Sequence, residues 1–178
     1  MTDAGWRSRG YLPHCDSRCL VQHIVFGLAD GLPRSVPSSI SGADKRAAWA
    51  DREFDQGYGE RLLEKAVNAE IVQNCLLLDD GQFYSLAAWC VMPTHVHALI
   101  EQRDGSLSKI LQRWKSASAH AINKMENRKG PLWRREYFDR FMRSEQQFEW
   151  TIAYIERNPV AAGLAMQAED WPHFSARC

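Results

Sequence analysis

The pattern of apolar and polar positions along the chain predicts four β-strands. Residues 20–28 are apolar and partly β-branched, which is typical of a strand. Residues 82–92 are nearly continuously apolar, which favours a central strand, and a tight break at Pro93 and Thr94 follows them. Residues 95–101 then predict a strand antiparallel to the one before, and residues 137–143 alternate as a fourth strand does.

Helical spacing of apolar residues appears in the remaining segments. Residues 47–74 predict two helices, because Gly57 and Gly59 interrupt the pattern. Residues 107–125 carry one apolar stripe and predict a third helix. Residues 145–157 predict a last helix, which should stop near Asn158 because Pro159 disfavours helical geometry in the residue before it.

The resulting order is β-α-β-β-α-β-α, which matches the ferredoxin-like split β-α-β pattern. We therefore expect an α+β fold with an antiparallel four-stranded sheet, helices on one face and an extra C-terminal helix that carries Tyr154. The length of 178 residues predicts one domain over residues 1–178. Its core should cover about residues 10–176, and residues 31–46, rich in Gly, Pro and Ser, should form a surface loop.

Composition narrows the class of protein further. The chain has five cysteines, no Cys-x-x-Cys motif, no apolar signal region and no long apolar run, so we expect a cytoplasmic protein without a membrane span. His14, Cys15, Cys19 and His23 lie close together, but their spacing fits no standard zinc site. The formal net charge is zero, yet residues 103–143 contain eleven Lys and Arg against four Asp and Glu. This basic sector could form a phosphate-binding face or simply a solvated helix face.

Two local patterns point to chemistry. His95 and His97 are two apart in a predicted strand, so their imidazoles project from the same face and could bind a divalent metal. The alternative is two unrelated histidines on a solvated strand. Tyr154 and Asn158 are four apart and share a helix face, where the Asn158 amide oxygen could complete the metal site. The alternative here is a partly buried tyrosine with Asn158 capping the helix end.

Together, these motifs resemble the single-tyrosine HUH transposases, and most closely the REP-associated tyrosine transposases. The resemblance covers roughly residues 10–176. One departure is Thr94, where the family usually has Asn before the first histidine. The segments that carry the resemblance are 9–14, 88–97, 107–112, 133–140, 154–164 and 170–172.

The resemblance implies a single-stranded DNA endonuclease and strand transferase that acts on hairpin-forming repetitive palindromes. Tyr154 would be the nucleophile and would form a 5′-phosphotyrosine. His95, His97 and Asn158 would hold Mg²⁺ or Mn²⁺. The protein would act as a monomer or a homodimer, and Tyr137, on the fourth strand, would be structural or in contact with DNA.

Basic and aromatic residues suggest how DNA would be held. Trp114 and Trp133 could stack bases, although Trp114 lies on the apolar stripe of its helix. Three other functions stay open: a non-catalytic single-stranded nucleic-acid-binding module, a metal-dependent DNA hydrolase, and a replication initiator or relaxase, for which the chain is short. The candidates for contacts to the DNA backbone are Lys109, Arg113, Lys115, Arg134, Arg135, Arg140 and Arg143.

Overall fold

The computed structural model describes residues 5–8, 13–16, 20–32, 37–41 and 43–175. Two short 3-10 helices, Leu62–Glu64 and Ala168–Asp170, accompany the main elements. The strands are β1 (Gly5–Ser8), β2 (Pro13–Asp16), β3 (Val21–Gly27), β4 (Tyr84–Val91), β5 (His95–Gln102) and β6 (Phe138–Phe141). The helices are α1 (Ala43–Asp55), α2 (Ala66–Leu77), α3 (Leu107–Met125) and α4 (Glu145–Ala161).

The main sheet has the order β4-β5-β3-β6, and all its neighbouring strands are antiparallel. Helical connections join β3 to β4 and β5 to β6, so the predicted ferredoxin-like α+β fold is confirmed. The turn between β4 and β5 contains Pro93 and Thr94 and is closed by a 2.8 Å bond from the Met92 N–H to the His95 carbonyl. The β1–β2 hairpin forms a separate two-stranded sheet, which the sequence pattern did not predict.

Both faces of the main sheet are covered, so the expectation that the helices lie on one face is wrong in this detail. Helices α2 and α3 pack on the face that presents Phe26, Val96 and Ala98. Helices α1 and α4 cover the opposite face. The physical reason is visible in β5, whose residues His95–Ile100 are all buried: a strand that is buried on both sides needs a layer on each.

Two helix boundaries differ from the predictions. Helix α1 begins at Ala43, inside the expected loop 31–46, of which residues 33–36 and 42 lie outside the described residues. Helix α4 continues past Asn158 to Ala161, although Pro159 donates no backbone hydrogen bond. Its last turn is held by a 2.8 Å bond from the Leu164 N–H to the Pro159 carbonyl, which the left-handed conformation of Gly163 (φ 69°) allows.

No α-helix among the described residues is both long enough and apolar enough to cross a membrane.

Candidate active site

The histidine pair lies at the start of β5, in the middle of the sheet. His95 is paired with Gly27 of β3, and His97 is paired with Val25 of β3 and Cys90 of β4. Both imidazoles point to the face covered by α1 and α4, and both are buried, with His97 0% exposed. Their Nε2 atoms are 3.0 Å apart, so the two residues project together as the strand periodicity predicts.

Helix α4 brings Tyr154 and Asn158 to the same place. The amide nitrogen of Asn158 is 3.2 Å from His97 Nε2. The Tyr154 ring meets the His97 ring edge-on, with 5.6 Å between centroids. Tyr154 is 36% exposed, so the phenol borders the solvent while it touches the buried histidines. The four residues singled out from the sequence therefore meet at one point.

Helix α1 adds two carboxylates that the sequence reasoning missed. Asp55 Oδ1 is 3.3 Å from His95 Nε2 and 3.5 Å from His97 Nε2, and Asp55 Oδ2 accepts a 2.6 Å hydrogen bond from the Tyr154 hydroxyl. Asp51, one turn earlier, has Oδ1 3.8 Å from His97 Nδ1. The only sign of them in the sequence was their spacing of four residues, which puts both carboxylates on one helix face. That spacing is equally typical of a solvated face.

A glycine lets α1 approach the sheet closely enough to deliver these carboxylates. Phe54 stacks on His95, with ring centroids 5.5 Å apart, and packs edge-on against Phe138. A Cβ atom on Gly27 would lie 2.1 Å from the Phe54 ring, much closer than any real contact. Gly27 therefore leaves the space in which Phe54 anchors α1 above the histidines.

Neighbouring groups can set the tautomers of both histidines. His95 Nδ1 is 3.0 Å from Thr94 Oγ1, and His97 Nδ1 is 3.1 Å from Nε2 of His23, which comes from β3. Protons on the two Nδ1 atoms would be held by these contacts and would leave both Nε2 lone pairs free for a cation. His23 thus belongs to this cluster. The zinc arrangement considered for His23 lies outside the described residues, which do not include Cys19 or the side chains of His14 and Cys15.

The donor atoms have the spacing that a single ion requires. Ligand bonds of about 2.0–2.2 Å place neighbouring donors about 3.0–3.4 Å apart around one ion. The two Nε2 atoms of His95 and His97 are 3.0 Å apart, and the Asn158 amide nitrogen is 3.2 Å from His97 Nε2. Asp55 Oδ1 is 3.3 Å from His95 Nε2 and 3.5 Å from His97 Nε2. Rotation of the Asn158 amide by 180° would place its oxygen, the metal-binding atom, where the nitrogen now lies. The residues present therefore fit a divalent metal.

The electrostatics favour a cation at the same point. Burial lowers the pKa of His95 to about 4, and burial together with His97 lowers the pKa of His23 well below its ordinary value. Burial would raise the pKa of Asp55, but the neighbouring imidazoles of His95 and His97 hold it well below its usual range. Neutral imidazoles beside a carboxylate anion form a site that attracts a divalent cation and repels a phosphate approaching alone.

The buried histidines predict how stability depends on pH in the metal-free protein. His95 and His23 stay neutral in the folded state but take up protons in the unfolded chain below pH 6.5, so the free energy of unfolding should fall as pH drops from 6.5 towards 4. Burial raises the pKa of Asp51, so Asp51 increases the free energy of unfolding as the pH drops. The pKa of Asp55 is lowered, so its contribution to the free energy of unfolding is lost only at lower pH. Urea unfolding in EDTA should show that the free energy of unfolding decreases by an amount on the order of a few kcal/mol over this pH range. The decrease should be smaller in His23→Gln. Stability that stays flat from pH 7 to 4.5 would contradict the burial of neutral imidazoles.

The candidate DNA-contacting residues differ in their present partners. Arg113 forms a bidentate ion pair with Asp79, with N–O distances of 2.8 and 2.9 Å. The Lys115 ammonium donates to the carbonyls of Arg134 and Arg135, and burial lowers its pKa to about 8. Arg140 lines a small cleft together with His23 and Asp51. This candidate DNA contact therefore lies beside the histidine cluster. Lys109, Arg135, Arg140 and Arg143 are exposed.

The two tryptophans proposed to stack bases are buried instead. The Trp114 indole N–H donates to the Tyr84 hydroxyl at 2.9 Å, and the Trp133 indole N–H donates to Ser118 Oγ at 2.9 Å. Both rings pack in the core between the sheet and α3. Neither indole face is free for a base. Tyr137 is also buried, with the Lys115 ammonium 5.6 Å from its ring centroid.

Comparison with known proteins relates the chain to transposases. The profile of the family described as "Transposase IS200 like" matches residues 56–158, which include both histidines, Tyr154 and Asn158 but not Asp51 or Asp55. A REP-associated tyrosine transposase of Escherichia coli K12 is 26% identical over 91 residues, which are 50% of this chain. The match covers 52% of that protein, so the chain spans about half the length of its curated relative.

Two solved structures are similar. A REP-associated tyrosine transposase bound to a REP hairpin aligns with a TM-score of 0.60 and 18% identity, over 94% of this chain and 81% of that chain. That similarity supports the fold. A putative transposase from Deinococcus radiodurans aligns with a TM-score of 0.44 and 19% identity, over 85% of this chain and 96% of that chain.

Proposed function

Because this chain belongs to the IS200-like transposase family, we propose that it cuts and rejoins single-stranded DNA through a covalent link to Tyr154. The observation that carries the proposal is the meeting of one solvent-bordering phenol with a buried set of metal-binding groups: 2.6 Å from the Tyr154 hydroxyl to Asp55, and 3.3 and 3.5 Å from Asp55 to the two histidines. We propose hairpin-forming repetitive palindromes as the substrate, since a similar fold has been solved with a REP hairpin.

In the proposed cleavage step, Tyr154 Oη attacks the scissile phosphorus. A bond forms between Oη and phosphorus, and the bond from phosphorus to the 3′ oxygen breaks, which leaves the 5′ phosphate on the tyrosine. The departing 3′ oxygen takes up a proton and becomes a 3′-OH. Attack by a 3′-OH on the phosphotyrosine reverses these bond changes and rejoins a strand, so no external energy source is needed.

Asp55 supplies what the sequence did not offer, an acceptor for the phenolic proton. Its Oδ2 already accepts the hydrogen bond from Tyr154 and holds the phenol beside the histidines. The phenol requires such an acceptor, because burial and the carboxylates of Asp51 and Asp55 raise the pKa of Tyr154 well above its ordinary value. Asp55 Oδ2, which already accepts the hydrogen bond from Oη, would receive the proton as the bond to phosphorus forms.

His95, His97, Asn158 and Asp55 would hold the metal, Mg²⁺ or Mn²⁺. A mixed set of imidazole nitrogens and oxygens favours Mn²⁺ as the ion to test first. Bound there, the ion would neutralise the scissile phosphate and offset the carboxylate charge beside it. Thr94 and His23 would keep the two imidazoles in the metal-binding tautomer.

One chain carries all of these groups, because Tyr154 lies beside the histidines of its own β5. We therefore propose that a single protomer can cleave DNA in the cytoplasm without a tyrosine from a second copy. The seven basic candidates of the sequence stay proposed DNA contacts. Arg134 and Arg135 line a cleft of about 450 Å³ beside α3, which is suited to a strand backbone.

The experiment that tests this function follows the fate of a 3′ label on a hairpin oligonucleotide with single-stranded flanks. With Mn²⁺, the label should migrate with the protein on a denaturing gel, and the released upstream fragment should end in a 3′-OH that a polymerase extends. Cleavage that leaves the label on free DNA would favour the metal-dependent hydrolase. Binding without cleavage would favour the nucleic-acid-binding module.

Replacing Asp55 with Asn should weaken Mn²⁺ binding about tenfold or more, because the isosteric amide removes the negative charge next to both Nε2 atoms. Asp51→Asn on the same helix is the matched control, since Asp51 faces His97 Nδ1 rather than Nε2 and should have a smaller effect. Calorimetric titration with Mn²⁺ measures both. Equal affinities in the two variants would remove Asp55 from the metal site.

A further inference from the structure

We propose that Trp150 and Arg157 form a subsite for the nucleotide next to the scissile phosphate, a role that rests on the proposed function. Trp150 lies four residues before Tyr154 and Arg157 three residues after it, so all three share one exposed face of α4. They line a single groove of about 500 Å³ that also contains Asp55 and Asn158. The groove therefore leads directly to the nucleophile.

The exposure of Trp150 is unusual in this protein. Trp49, Trp89, Trp114 and Trp133 are buried, whereas Trp150 is 66% exposed. Trp171 is partly buried and donates its indole N–H to the Val91 carbonyl. Among the tryptophans whose side chains the structure describes, Trp150 alone presents its ring mainly to solvent, where burial would otherwise stabilise the fold.

The chemistry of the groove selects a nucleotide as its occupant. An exposed indole offers a flat face on which any base can stack. The Arg157 guanidinium can pair with a backbone phosphate at the other end of the same face. Ala153 and Ala161, which also line the groove, have small side chains that leave room for a ligand. Trp150 and Tyr154 are separated along the helix axis by about 6 Å, which suits a base attached to the phosphate that Tyr154 attacks.

This subsite would let a protein whose Trp114 and Trp133 are buried hold an unpaired strand. Stacking on Trp150 would fix the nucleotide without reading its sequence, while Arg157 would hold the backbone in the direction of the metal ligands. A phosphate held this way would approach Tyr154 from the solvent side, where the phenol is accessible.

The test compares Trp150→Ala with Trp150→Phe, both in the non-cleaving Tyr154→Phe chain with Mn²⁺. Fluorescence anisotropy with a labelled hairpin oligonucleotide measures binding, and a series of oligonucleotides carries one abasic site at each position around the cut. The alanine variant should bind about tenfold more weakly, and the phenylalanine variant should bind nearly as the parent does. In one oligonucleotide, the abasic site lies next to the cut and removes the base that stacks on Trp150. This oligonucleotide should bind the parent chain as weakly as the intact oligonucleotide binds Trp150→Ala, and Trp150→Ala should bind it no more weakly still.

Two matched variants complete the design. Leu78→Ala removes an exposed apolar side chain outside the groove and should not change binding. Arg157→Ala should weaken binding to all oligonucleotides alike. It should also reduce the slope of log affinity against log salt concentration by about one, because one phosphate contact is lost.

Three results would overturn the subsite: unchanged affinity in Trp150→Ala, a penalty that no abasic position removes, or a loss of self-association in Trp150→Ala during sedimentation, which would assign the indole to a protein interface. If the wild-type chain forms the tyrosine adduct while Trp150→Ala binds normally, the subsite alone is wrong. If no adduct forms while the abasic pattern appears, the proposed cleavage alone is wrong.

Discussion

The Tyr154→Phe variant should lose the covalent DNA adduct and strand joining by at least about a thousandfold, while its affinity for the hairpin oligonucleotide stays within about twofold. Phenylalanine keeps the ring that meets His97 edge-on but removes the oxygen that would bond to phosphorus. Tyr84 and Tyr137 cannot replace it, because both are buried in the core. The 3′-labelled gel assay measures the adduct, and anisotropy measures binding.

Tyr58→Phe is the matched control, because Tyr58 is an exposed tyrosine that does not line the groove of Tyr154. It should leave adduct formation unchanged. An adduct of normal yield in Tyr154→Phe would show that a different side chain attacks the phosphate. Cleavage without an adduct in that variant would assign the chemistry to a metal-bound water.

The second large effect is expected from His97→Ala, which should abolish both Mn²⁺ binding and the adduct. His97 is the hub of the cluster: its Nε2 faces His95, Asp55 and Asn158, and its Nδ1 faces His23. Removal of this imidazole takes away one donor and the contact that aligns the others, so Mn²⁺ affinity should fall by more than about a hundredfold. Electron paramagnetic resonance of free Mn²⁺ measures the affinity.

The fold of this variant needs its own check, because His97 is fully buried and alanine leaves a cavity. His97→Gln fills the site and should show the same loss of metal if its circular dichroism is native. His120→Ala, on an exposed face of α3, is the matched histidine control and should bind Mn²⁺ as the wild type does. Normal Mn²⁺ binding in folded His97→Gln would contradict the role of His97.

The parts of the site that lie within one element could be predicted from the sequence. Alternation in a strand places His95 and His97 on one face, and the helical repeat places Tyr154 and Asn158 on one face. The meeting of these two pairs followed only from the family resemblance, because no periodicity within either segment specifies which helix covers which strand.

The carboxylates could not be predicted, because they depend on tertiary packing. Asp51 and Asp55 reach the histidines only since α1 crosses the sheet on the same side as α4, with Phe54 seated above Gly27. In the sequence, the same residues read as the polar positions of an amphipathic helix. His23 was likewise hidden, because its partner His97 is 74 residues away and the two meet through the pairing of β3 with β5.

The prediction for the end of α4 failed for a local reason. Proline disfavours helical geometry in the preceding residue, but a last turn tied by Gly163 and Leu164 keeps Asn158 helical. This extension has a functional consequence. Asn158 stays in register one turn after Tyr154, so its amide faces His97 rather than solvent.

The most direct test of the proposed metal site is the anomalous scattering of a crystal soaked in Mn²⁺. The proposed metal site predicts one strong peak about 2.0–2.3 Å from Nε2 of both His95 and His97, with oxygens of Asn158 and Asp55 completing the contacts and the Tyr154 hydroxyl beside them. A crystal in which Mn²⁺ binds elsewhere, or leaves both imidazoles uncoordinated, would contradict it.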